Sequence, residues 1–397
     1  MERGHRPRTG LILSGGGARA AYQVGVLKAV ADLLPPRAGN PFPVICGTSA
    51  GAINAVGLAS HASRFRTGVR GLEAVWGSFH AGQVYRTDLH GMLRRALQWF
   101  SAIFFAGIGA RRPISLLDNS PLVHLLQRLI HFERVERAIE AGDLHAVSVT
   151  ASCYGSGQSV CFFQGKEGIT PWRRARRIGR RATLGLEHLL ASAAIPAIFP
   201  AVSVGGEYYG DGSVRQLAPI SPALHLGADR VMVIGVSADT ELSSPSGGLR
   251  RQPTPAEMAG HLLNSAFLDS LEGDLERLER INRTLDLLPD EARASRIGLR
   301  PVQVLTIAPS EPINEIAVRY ARELPRRIRF FLRGSGATDS GGSVLISYIL
   351  FEAAYCRALM RLGYDDAMRR EHEVLRFLGH DPIALHGPAG LPRHDIC

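Results

Sequence analysis

The fold follows from eight residues, Ile45-Cys46-Gly47-Thr48-Ser49-Ala50-Gly51-Ala52. Val44 to Cys46 is a short apolar run, Gly47 to Gly51 reads G-x-S-x-G, and Ala50 to Ser60 is Ala-rich. Strand, sharp turn and helix is the context that gives G-x-S-x-G a chemical meaning, because the turn pushes the serine hydroxyl outward. Gly47 and Gly51 leave room for strand and helix to approach closely. The helix that starts just after Ser49 aims unsatisfied N–H groups at any anion forming beside it. Ser49 is therefore a candidate nucleophile. The alternative at this point is an ordinary helix N-cap, where Thr and Ser are favoured.

Upstream, Thr9 to Leu13 predicts a buried first strand and Ala20 to Leu33 a helix ended by Pro35 and Pro36. Between them lies Ser14-Gly15-Gly16-Gly17-Ala18-Arg19. Three successive glycines let the main chain turn several N–H groups toward one point, and the following helix adds its dipole. Such a loop suits an oxyanion. Arg19 braces the loop or assists with charge; the alternative is a surface residue at a helix start. Gly15, Gly17 and Ala20 also satisfy G-x-G-x-x-A, but a dinucleotide site wants an acidic residue about 20 positions on, at the end of the second strand. Here that strand ends in Cys46-Gly47-Thr48-Ser49. No Gly-Lys-Ser/Thr follows the loop, which removes a Walker A site.

Downstream, strands are expected over Leu144–Tyr154 and Ser159–Gln164, with Gly155-Ser156-Gly157 as their turn. A helix is expected from Leu186 to Ala194, stopped by Pro196. Ala201–Val204 and Glu207–Tyr209 form a hairpin that delivers Gly210-Asp211-Gly212-Ser213. Asp211 is a candidate general base for Ser49; Asp-Gly is also a common turn pair. Further strands are read at Arg230–Val236 and Val302–Ile307, with helices over 257–288, 314–332 and 344–377. The segments 240–256 and 334–343 are rich in Ser, Pro and Gly and read as links. Strand–helix alternation makes the chain α/β.

The 397 residues, 45% of them hydrophobic, allow a sizeable core. The net charge of +10 is almost all arginine, since lysine occurs only at 28 and 166. Arg173 to Arg181 packs six arginines into the ten residues from Trp172, either a solvated face or a contact for phosphate head groups and a peripheral anionic membrane. Aromatic content is 7%, with no zinc-type spacing and no RNA-recognition run, so no nucleic-acid partner is expected. Five scattered cysteines suit a reducing compartment and a cytoplasmic location. No run reaches the roughly 18 apolar residues of a membrane span. Trp99, Phe100, Ile103, Phe104 and Phe105 make a greasy patch, read as a core helix or a lid touching lipid.

Ser14-Gly-Gly-Gly-Ala-Arg19, Gly47-Thr-Ser-Ala-Gly51, Ala191-Ser-Ala-Ala-Ile-Pro-Ala-Ile-Phe-Pro200 and Asp211-Gly212, in that order, resemble the patatin-like phospholipases over residues 9–238. The resemblance implies a three-layer α/β/α fold with a largely parallel central sheet. It further implies a Ser49–Asp211 dyad, an oxyanion hole at Gly15, Gly16, Gly17, Ala18 and Arg19, no metal and no organic cofactor. Substrates would be phospholipids, lysophospholipids or other acyl esters, as for a phospholipase A or lipid acyl hydrolase. The catalytic domain is expected over 9–310, with 240–300 inserted after the motif-bearing core and 311–397 as a helical extension. The chain departs from the family pattern at Ala20 and Ser213. Two other readings stay open: a Ser–His–Asp α/β-hydrolase using a downstream histidine such as His225, and a non-catalytic lipid-binding protein.

Overall fold

The computed structural model describes residues 7–86, 115, 117–196, 198–238, 252, 254–267, 269–287, 300–326, 329 and 343–380. The aromatic patch at 99–105, most of the two links and the chain after 380 lie outside them. Strand β1 (Thr9–Leu13) is followed by a 3-10 turn (Gly17–Ala20) and α1 (Ala21–Leu33). Next come β2 (Val44–Thr48), α2 (Ala50–Ala59) and α3 (Phe65–Gly77), then α4 (Ser120–Leu129) and α5 (Glu133–Ala141). β3 (Ala146–Cys153), β4 (Ser159–Gly165), β5 (Trp172–Arg174) and β6 (Arg177–Arg181) lead to α6 (Leu186–Ser192). The hairpin β7 (Val202–Val204) and β8 (Glu207–Asp211) precedes α7 (Ser221–His225) and β9 (Arg230–Ile234). The rest is α8 (Pro255–Phe267), α9 (Asp269–Asp286), β10 (Gln303–Ile307), α10 (Ile313–Tyr320), α11 (Ser343–Ile349), α12 (Ala353–Arg369) and α13 (Glu371–Leu378).

These strands form one mixed sheet in the order β10-β9-β1-β2-β3-β4-β6-β5, with β8 paired to β3 and β7. β10, β9, β1, β2 and β3 run parallel. Side chains alternate across a strand, and β1 shows the consequence. Leu11 and Leu13 enter one core with α1, α2 and α12 residues, while Ile12 enters the other with Val231, Val233 and residues of α7 and α9. Helices on both faces make this a three-layer α/β/α architecture. The helices after residue 311 share the first core. α12 packs along α1, and Tyr22 Oη donates to Asp366 Oδ2 at 2.9 Å.

One element is absent from the sequence reading and another differs from it. The arginine run 173–181 is a strand hairpin, β5–β6, joined to β4 through the backbone pairs Val160–Ile178 and Cys161–Gly179. Its charged side chains hide the alternation that marks a strand. The helix expected over 314–332 is interrupted: α10 ends at Tyr320 and passes through a 3-10 turn, Ala321–Glu323, residues 326 and 329 are helical again, and 327, 328 and 330–332 lie outside the described residues. Leu324, just after that turn, is extended, as the residue before a proline prefers. Among the described residues no single helix is long and apolar enough to cross a membrane.

Candidate active site

Register places the two candidate residues together. Val44 to Thr48 pair with Ala146 to Thr150 on β3. The chain then turns away at Ser49, and β8 takes over the same edge of β3, with Asp211 opposite Ala151, the residue after Thr150. The carboxylate therefore arrives where β2 leaves off. Ser49 Oγ donates to Asp211 Oδ2 at 2.6 Å, and the two residues are 2% and 0% exposed.

The turn itself is strained. Ser49 has φ 54° and ψ −129°, a conformation that side chains other than glycine rarely adopt. Its side chain makes no capping bond to α2, so the N-cap alternative does not describe where the hydroxyl goes. A Cβ at Gly47 would lie 2.6 Å from Ala52 Cα, and one at Gly51 would collide with the carbonyl oxygens of Leu13 and Ser14. The second contact brings the start of α2 onto the end of β1, directly beside the glycine loop. Ser192 fixes the turn from the other side: Ser49 N donates to Ser192 Oγ at 2.8 Å, and Ser192 Oγ donates to Thr150 O at 2.6 Å.

Asp211 serves the turn as well as the serine. Its Oδ1 accepts from Ser213 N at 2.9 Å, and its own N–H donates to Ala194 O at 2.8 Å. Burial pushes the carboxyl up to about 6, while the bonds from Ser49 and Ser213 hold it back. Tyr154 feels that carboxylate, and its hydroxyl is raised by burial and then by Asp211.

Gly17 has φ 55° and lines the same cleft as Ser49. The loop is held by buried amides that the sequence reading did not single out. Gln23 Nε2 donates to Ser14 O at 2.8 Å, and Asn54 Nδ2 donates to Ala20 O at 3.2 Å and Gln23 Oε1 at 3.0 Å. Trp76 Nε1 completes the set by donating to Asn54 Oδ1 at 2.8 Å. The signal for Asn54 is its lone amide in an Ala-rich helix. Ser192 was in view only as part of the segment 191–200. Arg19 is fully buried, with Nε donating to Ser347 Oγ at 2.8 Å and Nη1 to Val236 O at 3.5 Å. It is no surface residue.

Among the described residues no histidine bonds to Ser49 or Asp211. His225 instead stacks on Trp172, 4.7 Å between ring centroids, and is lowered by burial and then by Arg174 and Arg177.

The model of the patatin-like phospholipase family matches residues 11–224. The cGAMP-activated phospholipase of Pseudomonas aeruginosa (strain BWHPSA011 / Pa011) is 30% identical over 217 residues, which are 54% of this chain and 55% of that protein. The chain thus spans about half the length of the curated relative it matches. Among solved structures, VipD from Legionella pneumophila has a TM-score of 0.33 at 12% identity, over 93% of this chain and 67% of its own. Human GIVD cytosolic phospholipase A2 has 0.40 at 14%, over 94% and 58%. The type III effector ExoU has 0.25 at 18%, over 84% and 63%. The matched stretch contains the glycine loop, the Ser49 turn and Asp211, and it makes up more than half of the chain, which belongs to the patatin-like phospholipase family.

Proposed function

We propose that the chain is a serine acyl-ester hydrolase of lipids, working through a Ser49–Asp211 dyad. The observation that carries this is the 2.6 Å hydrogen bond from Ser49 Oγ to Asp211 Oδ2 in a buried site at the end of an apolar cleft. Ionised Asp211 takes the hydroxyl proton as Ser49 Oγ attacks the ester carbonyl. The N–H groups of Gly16, Gly17 and Ala18 hold the oxyanion. Collapse of the tetrahedral intermediate expels the alcohol or lysolipid, which takes the proton from Asp211. Water then attacks the acyl-Ser49 ester, losing a proton to Asp211, and Ser49 leaves with that proton as the free fatty acid departs. Ala20 and Ser213 are compatible with this scheme: Ala20 is buried in the turn before α1, and Ser213 serves Asp211 through its backbone N–H.

Arg173, Arg174 and Arg176, exposed on the β5–β6 hairpin, are suited to anionic lipid. The four described cysteines, 46, 153, 161 and 356, are free and buried. These features support a cytoplasmic enzyme that meets membranes peripherally.

The test is a panel of phospholipids, lysophospholipids and neutral acyl esters given to wild type, Ser49→Ala and Asp211→Asn. Because a relative is named for activation by cGAMP, wild type is assayed with and without that nucleotide. Hydrolysis and fluorophosphonate labelling by wild type, both absent in Ser49→Ala, are the expected result. A well-folded wild type that neither turns over nor takes the label overturns the proposal in favour of a lipid-binding protein.

A further inference from the structure

A cleft of about 320 Å³ starts at Ser49 and follows one face of α2. Ala50, Ile53, Gly57 and His61 line it, at steps of three and four residues that stack on a single side of a helix. At 1.5 Å per residue, Ser49 to His61 spans about 18 Å, the reach of a long fatty acyl chain. Around Ser49 the walls are apolar, with Val75, Trp76, Phe79 and Phe351 among them. The far end changes character, because His61, Arg128, His131 and Arg134 line it.

That end is built. Arg134 Nη1 lies 3.2 Å from His61 Nε2, and His61 Nδ1 lies 3.1 Å from Gly57 O. A guanidinium only donates, so Nε2 accepts from it, while Nδ1 faces Gly57 O and, at 3.0 Å, Ser60 Oγ. Gly68 on α3 makes room for the ring, since a Cβ there would sit 2.8 Å from His61 Cβ. The neighbouring carboxylate, Glu133, lies 3.6 Å from His131 and 3.7 Å from Arg137 and is not part of the cleft wall.

An acyl chain whose carbonyl sits on Ser49 brings its far end to this cation. A bare methyl end removes water from the guanidinium and offers no acceptor in return. An end that carries oxygen replaces the water. We propose that His61 and Arg134 form a chain-end subsite selecting acyl groups with a hydroxyl or carboxylate at the ω carbon. The proposal rests on the hydrolase reading above for the orientation of the chain, and it names the substrate class of the same site.

Two measurements test it. The first compares kcat/KM for the p-nitrophenyl esters of hexadecanoate and of its ω-hydroxy and ω-carboxy forms, with butanoate as a control for chemistry. The ω-oxygenated chains are expected to be favoured about tenfold in wild type, as for a site with a hydrogen-bonding group to satisfy. Arg134→Leu is expected to bring that ratio to one or below. The second, independent of turnover, is displacement of a fluorescent fatty acid from Ser49→Ala by hexadecanoate and by its ω-carboxy form. Better competition by the ω-carboxy chain supports the subsite even if butanoate is not hydrolysed, in which case the hydrolase reading fails alone. Equal or weaker competition by the ω-carboxy chain, or an ω preference that survives Arg134→Leu, overturns it. The wild-type ratio and the displacement need no Arg134 variant, so a failure of Arg134→Leu to fold does not shelter the proposal.

Discussion

The Arg19 guanidinium lies 4.3 Å from the centroid of the Tyr348 ring, above its face. Tyr348 Oη donates in turn to Asn264 Oδ1 at 3.1 Å, and a Cβ on Gly17 would collide with the Tyr348 carbonyl oxygen. The glycine loop is therefore buttressed by α11 and α8, both beyond the matched residues 11–224. A buried cation–π contact contributes about 2 kcal/mol, and the charge-assisted bond from Arg19 to Ser347 a further ~1.5–3 kcal/mol. Arg19→Met is expected to lower stability by about 3–5 kcal/mol and to reduce kcat more than it raises KM, because the loop loses its support. Gly17→Ala, at a positive φ and against backbone, is expected to do worse on both counts. Thermal melts alongside steady-state kinetics on a soluble short-chain ester check both variants.

The raised Asp211 carboxyl gives a pH signature with a definite sign. Only ionised Asp211 accepts the Ser49 proton, so kcat/KM is expected to fall about tenfold per pH unit below about 6 and to level off above it. Stability runs the other way. The folded value lies above the ordinary one, so the folded state holds this proton more tightly than the unfolded chain. That contribution is fully present below about pH 4 and is lost as pH rises through about 6. Above that, the buried carboxylate costs up to about 3 kcal/mol. Asp211→Asn is therefore expected to be inactive yet more stable than wild type at pH 8, with the difference vanishing near pH 4. Urea unfolding at the two pH values decides it, and a variant less stable at both contradicts the account.

Ser192 gives a separable case, since it touches the backbone of Ser49 and not its hydroxyl. Ser192→Ala leaves the buried Ser49 N–H without its acceptor, a loss of about 1–3 kcal/mol. It also frees the strained turn to relax away from Asp211. The expected outcome is a fall in kcat and in the fluorophosphonate labelling rate with little change in KM. A variant that loses stability but labels at the wild-type rate shows that Ser192 only holds the fold.

The sequence was most legible where chemistry requires glycine. Gly47 and Gly51 mark the elbow because a Cβ at either position has nowhere to go, and Gly16 and Gly17 of the loop stand out for the same reason. The hairpin delivering Asp211 was readable from its Gly-Gly turn between alternating residues. The place of Asp211 at a strand end offers it as a base for Ser49, and the family resemblance makes the two a dyad; in the fold the physical cause of their meeting is that β8 replaces β2 along β3, which no local pattern encodes. Arg19 and Ser347 meet although they are 328 positions apart, and nothing in either segment announces the partner. The β5–β6 hairpin was hidden because backbone pairing holds it, with only Gly179 fully buried against Trp172.

That hairpin separates two kinds of arginine. Arg181 donates to the carbonyls of Gly165, Lys166 and Ile169, at 2.8, 3.0 and 2.8 Å, and Arg180 pairs with Glu207 at 3.2 Å. Arg173 and Arg176 are exposed beside the β5–β6 turn. A basic residue near an anionic bilayer contributes about 1 kcal/mol to binding, so Arg173→Glu with Arg176→Glu is expected to weaken sedimentation with phosphatidylglycerol vesicles at least tenfold and to leave the melting temperature unchanged. Arg181→Glu is expected to lower the melting temperature instead, because three carbonyl oxygens lose their donor. Raising the salt should reproduce the double variant's loss of vesicle binding in wild type, since screening acts on exposed charge. Vesicle binding that is indifferent to both the substitutions and the salt would assign the arginine run to the fold alone, as the three Arg181 bonds already do for its last residue.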